Sequence, residues 1–229
     1  MEKFSRTISA IGVDNFEKIK NASVLVFGLG GVGGYVVEGL ARSGVGRLTI
    51  VDYDTVALSN INRQIIALSS TVGKLKTDVI ADRVVDINPD CIVTSHSLRY
   101  SSENAHLIDF SAFDYIVDAV DDVSAKIEIC TRAVSLGKRV ISCMGTANHL
   151  DPTCFKISDL YSTSTCPLAR KMRSLLKKCG VEKGQVDALF STEEPIKRAR
   201  EDGALPSTAF CPSVAGLLIA HHVISSLID

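Results

Sequence analysis

Six residues, Gly28-Leu29-Gly30-Gly31-Val32-Gly33, constrain this chain more than any other feature. They follow an apolar, β-branched run, Ser23–Phe27, and precede a stretch of helical periodicity at about 32–43. Between a strand and a helix, glycines at this spacing permit a tight turn and close backbone approach, and aim the helix N-terminus at a phosphate. Asp52 ends the next apolar run, Leu48–Val51, where a carboxylate can accept hydrogen bonds from ribose hydroxyls. Together they indicate an adenine nucleotide and leave NAD and ATP both open.

The same alternation continues. Short apolar runs at Cys91–Thr94, Tyr115–Val117 and Arg139–Cys143 are separated by helical patterns at 74–88, 101–109 and 124–136. Strands apolar on both faces, alternating with helices, predict a doubly wound α/β fold, a mainly parallel sheet with helices on both faces. Beyond about residue 145 the pattern loosens into a C-terminal α+β extension. It comprises strands at 154–158 and near 186–190, a Ser/Thr-rich stretch from Ser158 to Thr165, a basic helix from Pro167 to Cys179, a charged loop from Glu193 to Gly203 and an apolar helix from Ser213. The 229 residues predict one domain, with a core over 1–150 and the extension, 151–229, packed on it. An amphipathic helical arm, 1–20, precedes the first strand.

With 25 basic and 26 acidic residues the chain is no globally basic nucleic-acid binder, which leaves room for a local basic patch. The apolar stretch Val214–Ile228 is interrupted by His221 and His222 and falls short of the ~20 residues of a membrane span. Seven scattered cysteines without a signal peptide predict reduced thiols and a cytoplasmic location. No two are three positions apart, so the paired spacing of a zinc-thiolate site is absent.

Residues beyond the glycines separate ATP from NAD. Asp52-Tyr53-Asp54-Thr55-Val56 leads into Ser59-Asn60-Ile61-Asn62-Arg63-Gln64, then Val72-Gly73-Lys74-Leu75-Lys76. Asp118-Ala119-Val120-Asp121-Asp122, with Lys126 next, closes the fourth strand. Hydride transfer needs no Arg and Lys converging on a triphosphate and no extra Asp at a strand end, whereas adenylation uses both. Arg offers a planar fork to phosphate oxygens, Lys a point charge, and Asp a hard oxygen ligand for Mg²⁺. Taken singly, Arg63 and Lys76 could be solvated charges, Asp54 could only shape its loop, Asp122 could cap a helix, and Gln64 could be a structural hydrogen-bonder.

These strings resemble the Rossmann-like adenylating domain of ubiquitin-activating-enzyme-like proteins (the ThiF/HesA/MoeB type), which convert a carboxylate to an acyl-adenylate with ATP and Mg²⁺. The resemblance implies Gly28, Gly30, Gly31 and Gly33 around the nucleotide, Asp52 on the ribose, and Asp54, Asn60, Arg63 and Gln64 as further nucleotide-side groups. It implies Lys76 at the reacting α-phosphate, Asp121 as metal ligand, and Arg6 as an arginine inserted into the partner's site of a homodimer.

The second half narrows the branch. Cys143-Met144-Gly145, Leu150-Asp151-Pro152-Thr153, Cys166-Pro167-Leu168-Ala169, Ser191-Thr192-Glu193-Glu194-Pro195-Ile196 and Pro212-Ser213-Val214-Ala215-Gly216 resemble tRNA threonylcarbamoyladenosine dehydratases. That resemblance implies a tRNA substrate whose threonyl carboxylate is adenylated and then attacked from within the same modification, so no enzyme thioester is required. Cys166, before a helix-starting proline, is the one candidate for such a thioester. A tRNA needs cationic surface, and Arg170, Lys171, Arg173 and Lys177, with Lys197 and Arg198 beyond, are the candidates; the alternative is solvated charge. An activator of a ubiquitin-like or sulfur-carrier protein, an NAD-binding oxidoreductase and a silent binding protein stay open as alternatives, as does a sulfur-transfer or redox protein partner.

Overall fold

The five apolar runs of the first half form parallel strands: β1 (Ser23–Phe27), β2 (Arg47–Val51), β3 (Ile92–His96), β4 (Tyr115–Asp118) and β5 (Arg139–Cys143). The computed structural model describes residues 2–196 and 205–229. Two later strands, β6 (Phe155–Asp159) and β7 (Asp187–Ser191), extend the same sheet in the order β3-β2-β1-β4-β5-β7-β6, with β6 alone antiparallel. The strand order reverses its progress across the sheet between β1 and β4. A doubly wound sheet opens a crevice at the carboxyl ends of its strands at such a switch point.

Among the described residues seven α-helices cover the sheet: α1 (Ser5–Ile11), α2 (Val13–Asn21), α3 (Gly33–Ser43), α4 (Lys76–Ile87), α5 (Val123–Ser135), α6 (Pro167–Lys178) and α7 (Phe210–Ile228). Alternate residues of β1 serve two cores. Val24 and Val26 pack with α2, α3, α4 and α7, while Leu25 and Phe27 pack with α5 and α6. Both faces are therefore buried, which is why β1 and β4 read as unbroken apolar runs.

Helix α3 carries a glycine in its interior, Gly39, which costs about 1 kcal/mol of helix propensity relative to Ala. Close packing of α7 offsets part of that cost. A Cβ on Gly39 would lie 2.6 Å from the Ala220 Cβ, and Gly216 of α7 abuts the Val32 carbonyl so closely that a Cβ would come within 2.4 Å. Between α3 and α4, buried Glu38 accepts from Arg83 Nε at 2.6 Å and Arg42 Nε at 2.7 Å. Burial raises its pKa, but these two guanidiniums outweigh it and hold the carboxyl below its ordinary value.

Two expectations need correction. The segment 101–109 is no α-helix; only the short turns Ala105–Leu107 and Phe110–Ala112 are helical, both 3-10. Asn104 takes the Ser101 amide at 2.9 Å and donates to the Arg99 carbonyl at 2.8 Å, and Asp109 takes the Ser111 amide at 2.9 Å. Such local side-chain bonds compete with a helix. The apolar spacing arises instead from Tyr100, Ala105, Ile108 and Phe110 dipping into the α5/α6 core. The C-terminal helix starts at Phe210 rather than Ser213, giving 19 residues, long and apolar enough by length and composition to cross a membrane. In the structure its small-residue face lies on α3.

Candidate nucleotide-activating site

The glycine turn sits at the switch point. Gly28 leaves β1 with φ +82° and donates its amide to the Val51 carbonyl at 2.8 Å. A Cβ there would lie 2.6 Å from the Ala119 carbonyl oxygen, and one on Gly33 would lie 1.7 Å from the Gly28 carbonyl oxygen. Only glycine lets the turn close this tightly between β4 and α3. The amides of Gly30 and Gly31 have no acceptor among the described residues, so they are free to meet an anion at the start of α3.

Asp52 is buried at the end of β2. Its carboxylate takes the Leu29 amide of the glycine turn at 2.6 Å and the Asp54 amide at 2.8 Å, with lone pairs left for hydroxyl donors. Asp54 in turn holds Lys76 twice. Its carbonyl accepts the Lys76 amide at 3.0 Å, and its carboxylate accepts the ammonium at 2.7 Å. Lys76, the first residue of α4, is buried.

The 58–64 segment brings in the other groups. Asn60 is structural in this state: its side chain accepts the Ala57 amide at 3.1 Å and its carbonyl accepts the amides of Arg63 and Gln64. Arg63 is half-buried, with its stem against Gly31 and its guanidinium on the Ser59 carbonyl and the Asn62 side chain at 2.9 Å each. Gln64 is buried beside Gly30, and its Oε1 has no hydrogen-bond partner among the described residues. A buried, unpaired amide oxygen at the mouth of a glycine turn calls for a donor from a ligand. On β4's side, Asp121 is exposed two residues beyond the Ala119 that abuts Gly28. Asp122 caps α5 through the Ser124 and Ala125 amides and pairs with Arg99 at 2.9 Å. The Arg99 hydrogen bond, with those two amides, holds the Asp122 carboxyl below its ordinary value.

The structure thus brings together Gly28, Gly30, Gly31, Gly33, Asp52, Asp54, Asn60, Arg63, Gln64 and Lys76, with Asp121 on the loop that follows Ala119. Arg6 is not among them. It is exposed on α1, and that arm packs by Phe4 and Phe16 against Gly44 at the far end of α3, the sheet edge opposite the glycine turn.

The basic candidates divide. Arg170 and Lys171 are exposed in the first turns of α6. Arg173 is instead engaged by the carbonyl and hydroxyl of Thr163, a structural anchor. Lys177 is exposed at the other end of α6, beside the turn that leads into the start of β7, away from the crevice. Lys197 and Arg198, with most of the charged loop, lie outside the described residues. Cys166 is buried at the N-cap of α6, not displayed on a loop. Its neighbour Cys143 is buried too, and burial pushes that thiol up to about 12.

One group escapes a reading of the sequence alone. Asp118 and Lys126, both wholly buried, pair at 2.9 Å, and the Ser142 hydroxyl donates to the same carboxylate at 2.5 Å. The signal lies in the string Asp118 to Lys126, but sequence spacing alone does not show that the two charges are buried against each other.

Comparison with known proteins points the same way. The ThiF family profile matches residues 4–229. A curated relative from Bacillus subtilis (strain 168), tRNA threonylcarbamoyladenosine dehydratase, is 42% identical over 243 residues, covering 100% of this chain and 95% of its own. Among solved structures, Escherichia coli tRNA N6-threonylcarbamoyladenosine dehydratase, TcdA, in complex with AMP superposes with a TM-score of 0.94 at 30% identity, covering 99% of this chain and 94% of that one. The ATP complex of the same enzyme gives a TM-score of 0.91, with the same identity and coverage.

Proposed function

The chain belongs to the ThiF family, and we propose that it is a tRNA threonylcarbamoyladenosine dehydratase, adenylating the threonyl carboxylate with ATP and letting the modification close on itself. The observation that carries this reading is the convergence, at one switch point, of free glycine amides, Asp52, Arg63 and Lys76. The near full-length likeness to enzymes of that name supports the choice of substrate.

In the reaction a carboxylate oxygen attacks the α-phosphorus of ATP and pyrophosphate leaves. A nitrogen or oxygen of the carbamoyl group then attacks the acyl carbon, a carbamoyl N–H gives up its proton, and AMP leaves, carrying off one carboxylate oxygen. The net change in the tRNA is loss of one water. Gly30 and Gly31 amides seat the phosphates, and Asp52 accepts from the ribose hydroxyls. Lys76 and Arg63 face the charge that builds on the α-phosphate, where fixed cations are worth most. The second attack is intramolecular and so needs no enzyme nucleophile, in keeping with Cys166 being buried.

Mg²⁺ fits the donor set. Asp121 is a single exposed carboxylate on the loop after β4, and Mg²⁺ is commonly held by one or two carboxylates, phosphates and its own waters. Bound there, it would neutralise phosphate charge. The family resemblance is what supports a homodimer in which the arm carrying Arg6 reaches the other subunit's nucleotide. The exposed bases of α6, Arg170 and Lys171, would grip tRNA phosphates. A cytoplasmic location accords with seven unpaired cysteines and a reaction on tRNA.

The test is incubation of the purified protein with ATP and a tRNA carrying threonylcarbamoyladenosine, then mass spectrometry of the nucleosides. Loss of one water with stoichiometric AMP is expected. ATP–pyrophosphate exchange that depends on a ubiquitin-like protein, without change in the tRNA, would favour the sulfur-carrier alternative instead.

A further inference from the structure

We propose that the buried Asp118–Lys126–Ser142 group positions Asp121, and that these three residues act on the reaction only through that carboxylate. The inference rests on the proposal that Asp121 holds Mg²⁺.

Both charges of the pair are wholly buried. Such a pair is a poor source of stability, because an apolar pair of the same volume would avoid the desolvation of both ions. Its distinguishing property is where its bonds go. Lys126 Nζ donates to the Val120 carbonyl at 3.0 Å, and the Val120 amide donates to Asp118 Oδ1 at 3.2 Å. Lys126 and Ser142 share the other carboxylate oxygen, Oδ2. Both backbone polar groups of Val120 therefore end on this one group.

The consequence falls on the next residue. The Val120 carbonyl lies in the same rigid peptide plane as the nitrogen and Cα of Asp121. Pinning that oxygen fixes the direction in which Asp121 leaves the sheet. From the other side the Asp122 carboxylate is locked onto the first amides of α5. Asp121 is thus an exposed side chain on a backbone clamped before and after. Groups that hold a metal-binding carboxylate in place act on metal affinity, typically by about 10- to 100-fold when removed.

The experiment measures binding of a non-hydrolysable ATP analogue by calorimetry, with and without Mg²⁺, in the full chain. Three proteins are compared with the wild type: Asp118→Asn/Lys126→Met, which neutralises the pair together, Lys126→Arg, which keeps the charge but not its reach, and Asp121→Asn. The double variant is expected to bind the metal-free analogue as the wild type does, and to lose about tenfold or more of the gain that Mg²⁺ brings. Lys126→Arg should fall between the two, and it carries the test if the double variant does not fold. A folded pair variant with the full Mg²⁺ gain, beside an Asp121→Asn protein that has lost it, overturns the positioning role alone. Retention of the full gain by Asp121→Asn overturns the metal assignment, and the positioning role falls with it.

Discussion

The Lys76 ammonium donates to the Asp54 carboxylate at 2.7 Å, and the two partners sit in unlike surroundings: the lysine side chain is 6% exposed, the aspartate 45%. Asp54 also gives its amide to Asp52. Lys76 and Asp52, the residues proposed to meet phosphate and ribose, are therefore joined through one residue.

Lys76→Ala and Arg63→Ala should each lower ATP-dependent turnover by about 10²- to 10³-fold, the usual cost of one lost electrostatic donor at a reacting centre. Neither should unfold the protein, since the carboxylate that Lys76 leaves behind is half exposed. Single-turnover rates beside circular dichroism spectra check both halves. Wild-type rates in the two variants would remove the ATP assignment.

Arg6→Ala and Lys76→Ala proteins, each expected to be strongly impaired alone, should recover activity when mixed. If the arm acts across a dimer, a heterodimer assembles one intact site. Absence of recovery in confirmed heterodimers would show that Arg6 does not act in trans.

Neutralising Arg170 and Lys171 together should weaken tRNA binding and flatten its salt dependence, by up to about 0.9 in log–log slope for each phosphate no longer neutralised. Affinity for free ATP should not change. Arg173 is left out because its bond to Thr163 makes it an anchor of the loop before α6. Filter binding across a salt series reads the slope, and an unchanged slope would place the tRNA on another face.

Cys166→Ala should keep substantial activity, because the thiol is buried at a helix cap and ring closure supplies its own nucleophile. A thioester trapped between wild-type enzyme and substrate, with no turnover in the variant, would reverse this.

His149 makes stability pH-dependent in a defined direction. Burial pushes its pKa down, with Glu193, 3.4 Å away, opposing but not cancelling the effect. As pH falls below about 6.5 the unfolded chain takes up this proton before the folded one does. The contribution is therefore complete above that pH and is lost as pH falls toward the folded value. Thermal midpoints from pH 7.5 to about 5 should drop less steeply for His149→Gln than for the wild type; parallel curves would refute the assignment.

How much of the molecule was legible from its residues alone depended on the range of the forces involved. Strand runs, the glycine turn and Asp52 at the end of β2 follow from local rules: burial on both faces of a parallel strand, the φ that Gly28 must adopt, a carboxylate at a strand end; Arg63, Lys76 and Asp121 are singled out by the resemblance of their strings to adenylating enzymes. The local rules act within a few residues of chain, so the sequence by itself determined the fold class and the glycine turn between β1 and α3. Tertiary structure decided the rest. The apolar spacing of 101–109 suits a helix, but Tyr100 and Phe110 are drawn into a core built by distant residues, and Asn104 diverts the local amides. Arg173 and Arg170 look alike in sequence, and only the arrival of Thr163 makes one an anchor and the other a free charge. Lys126 stands in a string that suggests nucleotide chemistry, and only β4 and β5, by bringing Asp118 and Ser142 to it, bury it as part of an ion pair. In each case the deciding quantity is desolvation or a bond set by partners far away in the chain, which no local pattern records.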